Sequence, residues 1–357
     1  MTTPLLHVYS GPMSVLPVTG TIVIGDMRDI YHHGCEAVMH QLLEGLTAAG
    51  LPPDLVLPGL DWHTDARCIQ APLVVINGEG ALHHARPCVD HILTLAEQRR
   101  AAGRPTALVN ASWFANTPEQ ADRLRALDLV ALRDGESRRI VQARGITSLN
   151  APDLAIRQAM EWHAAHPVLL GSSSGPGVSD STRPEITRQL RDCARRKHWK
   201  YIPVLFPPVV PRPGKKARKI RAKYRLARLL GPLARRFMSP RYHAHLVGKP
   251  DLNAYCSALS HCTGVLAGRF HTVCFCLGLR IPVAALSSNT PKIESLLADA
   301  GLDAGKRMTS LESLRDIPPF TPDESAALER FLTGAEHEFR NLFRRLRLLV
   351  APAEAAG

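Results

Sequence analysis

The sequence predicts an α/β protein with two parallel β-sheets. Three observations support this prediction. Strand and helix signals alternate along the chain, the strand signals are short apolar runs without period-2 alternation, and the alternation stops near residue 151 and then begins again. Apolar runs of this kind indicate parallel strands covered by helices on both faces, and the alternation is typical of doubly wound α/β domains. The 357 residues suffice for two such domains.

The first half of the chain carries four strand signals and three helix signals. We predict strands over 19–26, 71–80, 105–112 and 127–134, and helices over 35–50, 88–103 and 135–145. The segment 151–167 marks a break in this pattern. We therefore place a first domain at residues 1–163.

The second half repeats the alternation around one unusual segment. We predict strands over 168–171 (running into a Ser/Gly loop), 200–208, 262–267 and 281–286, and helices over 183–197, 251–260, 270–279 and 291–299. A final helix over 322–349 has a start signal in Thr321, Pro322 and Glu324. The apolar stripe of this helix predicts that it packs against another element of the protein. The second domain is placed at 164–357, with a basic insertion at 211–245.

Composition favours a protein of the cytoplasm. Hydrophobic residues make up 45% of the chain, and no apolar stretch reaches the length of a membrane-spanning helix. Residues 1–20 have neither the basic start nor the apolar core of a signal peptide. The eight cysteines form no C-x-x-C pair, which favours buried core thiols over a zinc site.

The net charge of +12 comes from one segment. Between Arg212 and Arg241 there are 12 cations and no acid, and the remaining 32 cations balance the 32 acids. Leucines at helical spacing face away from several of these arginines, a pattern that suits an anionic membrane surface. Nucleic acid is disfavoured because Tyr224 and Tyr242 are the only candidate stacking groups. A solvated insertion remains the alternative.

Polar groups at the ends of predicted strands indicate a ligand site, because open α/β sheets bind ligands outside the carboxyl ends of their strands. Arg269 and His271 interrupt an apolar run, and Lys292 begins a following helix. Either an internal acid or an external anion must pair with such buried charges. Two helix N-termini at the same place attract anions, which favours the ligand. The other candidates for donor binding are Arg133, Gly268, Ser287, Asn289 and Ser172.

A set of motifs in this order resembles the polysaccharide pyruvyl transferase family. The motifs are Gly25-Asp26, the helix from Gly34, Gly78-Glu79-Gly80, Arg133-Asp134 with Ser137, Pro152-Asp153, Gly268-Arg269-Phe270-His271 and the segment from Ser287 to Lys292. The resemblance implies two Rossmann-like domains in a GT-B-like arrangement with a cleft between them. It also implies transfer of the enolpyruvyl unit of phosphoenolpyruvate onto two sugar hydroxyls, which forms a pyruvate ketal. In that family Arg269, His271, Lys292 and Arg133 would belong to the donor site.

Two departures from the family pattern lie on the acceptor side. His32 and Cys35 stand where the family usually has Asn and Asp, and the glycine-rich loop after the second predicted strand carries an extra Leu82-His83-His84. The acceptor sugar and its linkage therefore stay open.

The chemistry of phosphoenolpyruvate fits the candidate donor residues. It is a small trianion, and the planar fork of arginine suits its carboxylate or phosphate. We expect His271 to act as the acid, and Arg269 and Lys292 to stabilise the departing phosphate. We expect no metal and no other cofactor, since no aspartate pair has metal-binding spacing.

Four residues are candidates for the base that activates the acceptor: Asp26, Glu79, His83 and His84. Each has a structural alternative, since Asp26 suits a helix cap and the two histidines suit an exposed loop. Asp134 is interpreted as a helix cap only.

The leading functional prediction is a pyruvyl transferase acting on a lipid- or nucleotide-linked sugar in cell-surface polysaccharide assembly, in the cytoplasm or on the inner face of the membrane. The alternative is a GT-B-type glycosyltransferase that uses a nucleotide sugar. A third reading is a non-catalytic assembly protein. Glycosyltransferases of this shape often hold a ribose with an acidic residue, and Glu294 is the only candidate near the site.

Overall fold

The first half of the chain builds a sheet of six parallel strands. The computed structural model describes residues 18–28, 32–60, 65–80, 82–167, 175–205 and 251–350. The strand order is β2-β1-β3-β4-β5-β6, and neighbouring strands pair in parallel. The strands are β1 (Thr21–Asp26), β2 (Pro53–Pro58), β3 (Leu73–Asn77), β4 (Thr106–Ala111), β5 (Leu129–Leu132) and β6 (Leu149–Asn150).

Helices cover both faces of this sheet. They are α1 (His33–Ala48), α2 (Ala66–Gln70), α3 (Pro87–Ala101), α4 (Pro118–Arg123), α5 (Gly135–Gln142) and α6 (Leu154–Ala165), with a 3₁₀ turn at Leu124–Ala126. Successive residues of a strand point to opposite faces. Accordingly, Val23 and Val75 belong to one core, while Ile22 and Val74 belong to another. Burial on both sides explains why the strands read as continuous apolar runs.

The second half builds a smaller parallel sheet in the order β10-β9-β7-β8. Its strands are β7 (Gly177–Ser181), β8 (Lys200–Tyr201), β9 (Val265–Gly268) and β10 (Val283–Ala285). Its helices are α7 (Pro184–Arg196), α8 (Leu252–Ser260), α9 (Phe270–Gly278), α10 (Lys292–Asp299) and α11 (Ala304–Arg307). The last helix is α12 (Pro322–Leu348).

One hydrophobic core joins the two halves. It contains buried residues of α1 and α6 from the first half together with those of α8, α9 and α12. Helices α6 and α9 approach so closely that a Cβ on Gly278 would lie 2.6 Å from the Cβ of Ala159. Helix α12 crosses back to the first half, where Phe343 packs against Gly45 of α1. The halves are therefore fixed against each other by helix packing.

Each sheet has one point where the strand order reverses. It lies between β1 and β3 in the first sheet and between β7 and β9 in the second. Such switch points open a crevice at the carboxyl ends of the strands. Glu79 follows β3, and Arg269 follows β9. The topology thus brings two polar strand ends together.

The predicted α/β architecture with two parallel sheets is confirmed. Three strands, β2, β6 and β7, were not predicted. Proline stands at both ends of β2, β6 has only two residues, and β7 lies where the sequence predicted a Ser/Gly loop. The break expected at 151–167 contains helix α6. The strand predicted at 168–171, Ser172 and the basic segment 212–241 lie outside the described residues. The division at residue 163 stays a prediction.

Candidate active site between the two sheets

The carboxyl ends of the two sheets enclose a cleft of about 190 Å³. Both halves of the chain contribute to its walls. The residues that line it are Met27, His32, Cys35, Glu79, Gly80, Arg133, Thr182, Arg269, Phe270, His271, Ser288, Asn289 and Lys292. Of the predicted donor residues, Arg269, Lys292, Arg133 and Asn289 are among them, whereas Gly268 and Ser287 are not. Of the predicted acid and base residues, His271 and Glu79 line the cleft, whereas Asp26 and His83 do not.

Arg269 has an internal acidic partner. Its Nε donates a hydrogen bond of 2.7 Å to Oδ2 of Asp180, and Oδ1 of that carboxylate accepts from the backbone N–H of Val204 at 2.7 Å. Arg269 thus pairs with an internal acid, where the sequence predicted an external anion. The arginine side chain is still 13% exposed and borders the cleft. An internal partner therefore orients Arg269 without burying it.

Gly268 has a structural role one residue earlier. A Cβ at this position would lie 2.5 Å from the carbonyl oxygen of Asp180. Only glycine allows the end of β9 to come this close to β7. The residue thus places Arg269 beside Asp180 and does not itself face the cleft.

His271 meets two carboxylates of the other half. Its Nε2 lies 3.3 Å from Oε1 of Glu79 and 3.6 Å from Oδ2 of Asp153. The side chain is only 10% exposed. The imidazole belongs to the second half of the chain and both acids to the first, so this contact crosses the cleft.

Arg133 and Asp153 form a fully buried ion pair behind His271. The Nη1–Oδ2 distance is 2.5 Å, and Nε of Arg133 also donates to the hydroxyl of Ser112 at 2.9 Å. Burial alone would raise the pKa of Asp153, but the neighbouring His271 and Arg133 hold that pKa well below its usual range. Asp153 is therefore a fixed negative charge. The guanidinium also lies 4.6 Å from the ring centre of Phe270.

Glu79 is held by a thiol. Sγ of Cys35 donates to Oε1 of Glu79 at 2.8 Å. Burial, and then the charge of Glu79, raises the pKa of Cys35 well above its usual value. Since only the thiolate is a good nucleophile, Cys35 acts in this site as a hydrogen-bond donor.

His32 caps helix α1 and lines the same cleft. Its Nδ1 accepts from the backbone N–H of Gly34 at 2.9 Å, and its ring centre lies 5.0 Å from that of His271. Burial, and then the nearby His271 and Arg269, lowers the pKa of His32 well below its usual value. A neutral ring that accepts at Nδ1 carries its proton on Nε2.

Lys292 is the half-buried cation of the cleft. Its Nζ lies 3.3 Å from Oδ1 of Asn289 and 5.8 Å from the ring centre of Phe270. Burial, and then the charge of Arg133, lowers the pKa of Lys292 from 10.5 to about 8. Ser288 donates to the same Asn289 oxygen at 3.1 Å.

The candidate residues of the acceptor side lie in different environments. Asp26 forms a bidentate pair with Arg28 at 2.7 to 3.1 Å, and its Oδ1 also accepts from the backbone N–H of Arg28 at 3.0 Å. His83 lies in a smaller recess beside Arg133 and Lys292. Burial, and then Lys292, lowers the pKa of His83 to about 4. His84 is exposed, as its loop interpretation expected.

Three acidic residues at or near the cleft were not among the predicted site residues. Asp153 contacts His271 and also caps α6, and Asp180, inside the buried strand β7, pairs with Arg269. Glu36 lies in the first turn of α1, and burial raises its pKa to about 7. Asp134 caps α5 through Ser137, as predicted.

The described residues contain neither a cluster suited to a metal ion nor a helix that could span a membrane. No group of three or more histidine, cysteine or acidic side chains in the described ranges is arranged to hold a metal ion. Across the same ranges, no helix has the length and apolar character needed to span a bilayer.

The fold and the cleft define a two-sheet α/β protein with cationic and acid–base groups at the junction of its halves. The family model of polysaccharide pyruvyl transferase matches residues 32–290. The chain therefore belongs to this family of transferases. The match includes Arg133, Arg269 and His271 and ends two residues before Lys292.

Other comparisons add little to this assignment. No curated protein matches the chain. A solved structure described as "S. aureus MnaA-UDP co-structure" is similar over 92% of this chain and 91% of that chain, at 13% identity and a TM-score of 0.45.

Proposed function

We propose that the protein transfers the enolpyruvyl unit of phosphoenolpyruvate to two hydroxyls of a sugar in a polysaccharide precursor. The products are a pyruvate ketal and inorganic phosphate. The observation that carries this proposal is the convergence of Arg269, Lys292 and His271 on one cleft, opposite the carboxylate of Glu79. Membership of the pyruvyl transferase family supports the reaction class.

The donor would be held by Arg269 and Lys292. Among the described residues Asp180 engages only Nε of Arg269, so the Nη groups are available to a carboxylate or phosphate. Lys292 adds a compact positive charge from the neighbouring strand end. The N-termini of α9 and α10 begin at the same edge and favour an anion there.

His271 would supply the proton that starts the reaction. Protonation of the methylene carbon leaves a cation at the adjacent carbon, which the ester oxygen of the phosphate stabilises. A sugar hydroxyl adds to that carbon and loses its proton to Glu79. Phosphate then departs with the bonding pair, and a second hydroxyl adds to the same carbon to close the ketal. The proton of this second hydroxyl passes to the departing phosphate, which leaves as HPO4²⁻, and the proton held by Glu79 replaces the one that His271 gave up. The charge of Asp153, 3.6 Å from Nε2, orients the imidazole throughout.

His32 would be a neutral donor to the bound anion. Its position in the wall of the cleft and the proton on Nε2 follow from its contact with the α1 backbone. A neutral N–H adds a hydrogen bond without repelling Arg269 or Lys292. His32, which the sequence assigned to the acceptor side, lines the same cleft as Arg269 and Lys292.

The acceptor and the cellular site complete the proposal. We expect a lipid- or nucleotide-linked sugar as acceptor. We also expect the cationic segment 212–241 to favour an anionic membrane surface. The cluster of Asp26, Arg28 and Glu36 near Met27 is a candidate for contacts with sugar hydroxyls.

The decisive experiment measures phosphate release from phosphoenolpyruvate with a panel of nucleotide- and lipid-linked sugars. The expected result is sugar-dependent phosphate release together with a ketal methyl signal in the NMR spectrum of the product. Consumption of a nucleotide sugar without phosphoenolpyruvate would instead establish the glycosyltransferase alternative. Thermal stabilisation by the donor is the companion measurement, since ligand at 100 times its dissociation constant adds about 2.7 kcal/mol.

A further inference from the structure

A second and larger groove, of about 300 Å³, lies at the opposite end of helix α1 from the cleft. Phe339 and Phe343 of α12 form its floor, and Gly45, Ala48 and Ala49 of α1 form one side. These two phenylalanines are buried, with 1% and 8% exposure. Arg340, Arg344 and Arg347 of α12 line its rim, together with Arg157 of α6 and one acid, Glu336 of α12. The groove therefore combines an apolar base with an edge of four cations and one acid.

The three rim arginines of α12 lie on one face of the helix. Their spacing of i, i+4 and i+7 aligns them along its length, and all three are exposed. From Arg340 to Leu348 the helix also carries Arg345 and contains no acid. The end of α12 is thus a local concentration of positive charge.

Two of these arginines contact side chains that are not acidic. Arg340 contacts Nδ1 of His337 at 3.3 Å, and Arg344 donates to Oδ1 of Asn341 at 3.0 Å. Within the described ranges none of the α12 rim arginines forms an ion pair, whereas Arg157 pairs with Glu161 at 3.1 Å. Charge on the rim is therefore left for an external anion.

Exposed apolar side chains stand next to this charge. Leu348 is 52% exposed and Val350 is 37% exposed, and they are the exposed large hydrophobic residues found in the described part of the chain. Both lie within one turn of Arg347. Together with the neighbouring arginines they form a mixed apolar and cationic patch at the exposed end of α12.

We propose that the surface formed by Arg340, Arg344, Arg347, Leu348 and Val350, named here the α12 surface, docks on an anionic phospholipid membrane. Lipid phosphates match the arginine guanidinium groups. The two apolar side chains would enter the boundary between headgroups and acyl chains. This surface shares no residue with the cationic segment 212–241, and it does not depend on the reaction proposed for the cleft.

The test compares two triple charge reversals in the full-length protein. R340E/R344E/R347E alters the α12 surface, and R188E/R195E/R196E makes the same charge change on three exposed arginines of α7. Co-sedimentation is measured with phosphatidylcholine vesicles that contain or lack phosphatidylglycerol. We expect the α12 variant to lose affinity for the anionic vesicles by on the order of a hundredfold, and the α7 variant to lose much less.

A site-specific readout separates this surface from the segment 212–241. In L348W the added indole fluorescence should shift to the blue on anionic vesicles and be quenched by brominated phosphatidylglycerol. Unchanged thermal unfolding of each variant shows that the fold is intact. Equal losses in the two triple variants, equal binding to neutral vesicles, or no quenching of L348W would overturn the proposal.

Discussion

Gly34 lies against the imidazole of His271 so closely that a Cβ on Gly34 would be 2.3 Å from Cγ of the ring. Gly34 belongs to the first turn of α1 in the first half of the chain, and His271 belongs to the first turn of α9 in the second half. The two helix starts therefore meet at the centre of the cleft. This contact fixes the imidazole against Glu79 and Asp153.

Gly34→Ala is expected to displace His271 from its two carboxylates. Misplacement of a catalytic group by about 1 Å costs on the order of a hundredfold in rate, so we expect at least a tenfold loss of turnover in the phosphate-release assay. Gly334→Ala is the matched control, because Gly334 lies within α12 and a Cβ there meets nothing within 4 Å. Wild-type turnover in Gly34→Ala would show that the position of this imidazole does not control the reaction.

Donor binding and proton transfer are expected to separate between Arg269 and His271. Arg269→Ala removes the anion partner and should raise KM for phosphoenolpyruvate at least tenfold. His271→Gln keeps a polar side chain and most binding but should lower kcat by about 10²- to 10⁴-fold, since an amide supplies no proton. Calorimetric titration with phosphoenolpyruvate and initial rates check the two effects. Full activity of His271→Gln would remove His271 from the acid role.

Lys292 is expected to set an upper pH limit on donor binding. Its pKa of about 8 lies below the usual 10.5 because of burial, so the side chain is charged below pH 8 and neutral above it. Affinity for phosphoenolpyruvate should therefore fall by about tenfold per pH unit above 8, because one proton is then taken up on binding. Lys292→Arg should abolish this fall, since arginine stays charged.

The same pKa shift has a consequence for stability. Between pH 8 and 10.5 the unfolded chain holds a proton on Lys292 that the folded chain has lost. The contribution of this group to the free energy of unfolding therefore rises with pH across that window.

A donor affinity that stays constant from pH 7 to pH 10 in the wild-type protein would contradict the assignment of Lys292 to the donor site.

The sequence could predict the strand ends but not the pairs that form between them. Arg269 and His271 could be predicted as site residues because they interrupt an apolar run, and Lys292 because it begins the helix after the neighbouring strand. Parallel sheet topology brings these strand ends together. Asp180 could not be predicted as the partner of Arg269, because the two residues are 89 positions apart. In addition, the polar residues of β7 do not have the apolar pattern of a buried strand. Long-range pairing leaves no local pattern in a single sequence.

Helix α12 shows the opposite case. Its capping box and its Pro322 start were readable in the sequence, and the structure places the helix at Pro322–Leu348 with that capping box formed. The prediction that its apolar stripe packs against other elements is confirmed. These elements include α1 and α6 of the first half. Their identity depends on how the two halves are arranged, which no local sequence pattern encodes.

The last prediction concerns His32, which caps α1 and faces the cleft. His32→Ala removes the cap acceptor and should lower the free energy of unfolding by about 1 kcal/mol, as chemical denaturation would measure. It should also raise KM for phosphoenolpyruvate several-fold, because a donor to the anion is lost. His32→Asn restores both a cap oxygen and a neutral N–H donor, so it should recover the stability and most of the binding.

The pH profile distinguishes a neutral donor from a titrating one. Since the pKa of His32 is held well below its usual value of 6.5, the ring is neutral from pH 6.5 upward, and His32→Asn should leave the shape of the kcat/KM profile unchanged above that pH. A shift of the acidic limb in His32→Asn would mean that His32 gains a proton during the reaction cycle, and the neutral-donor role would then be wrong.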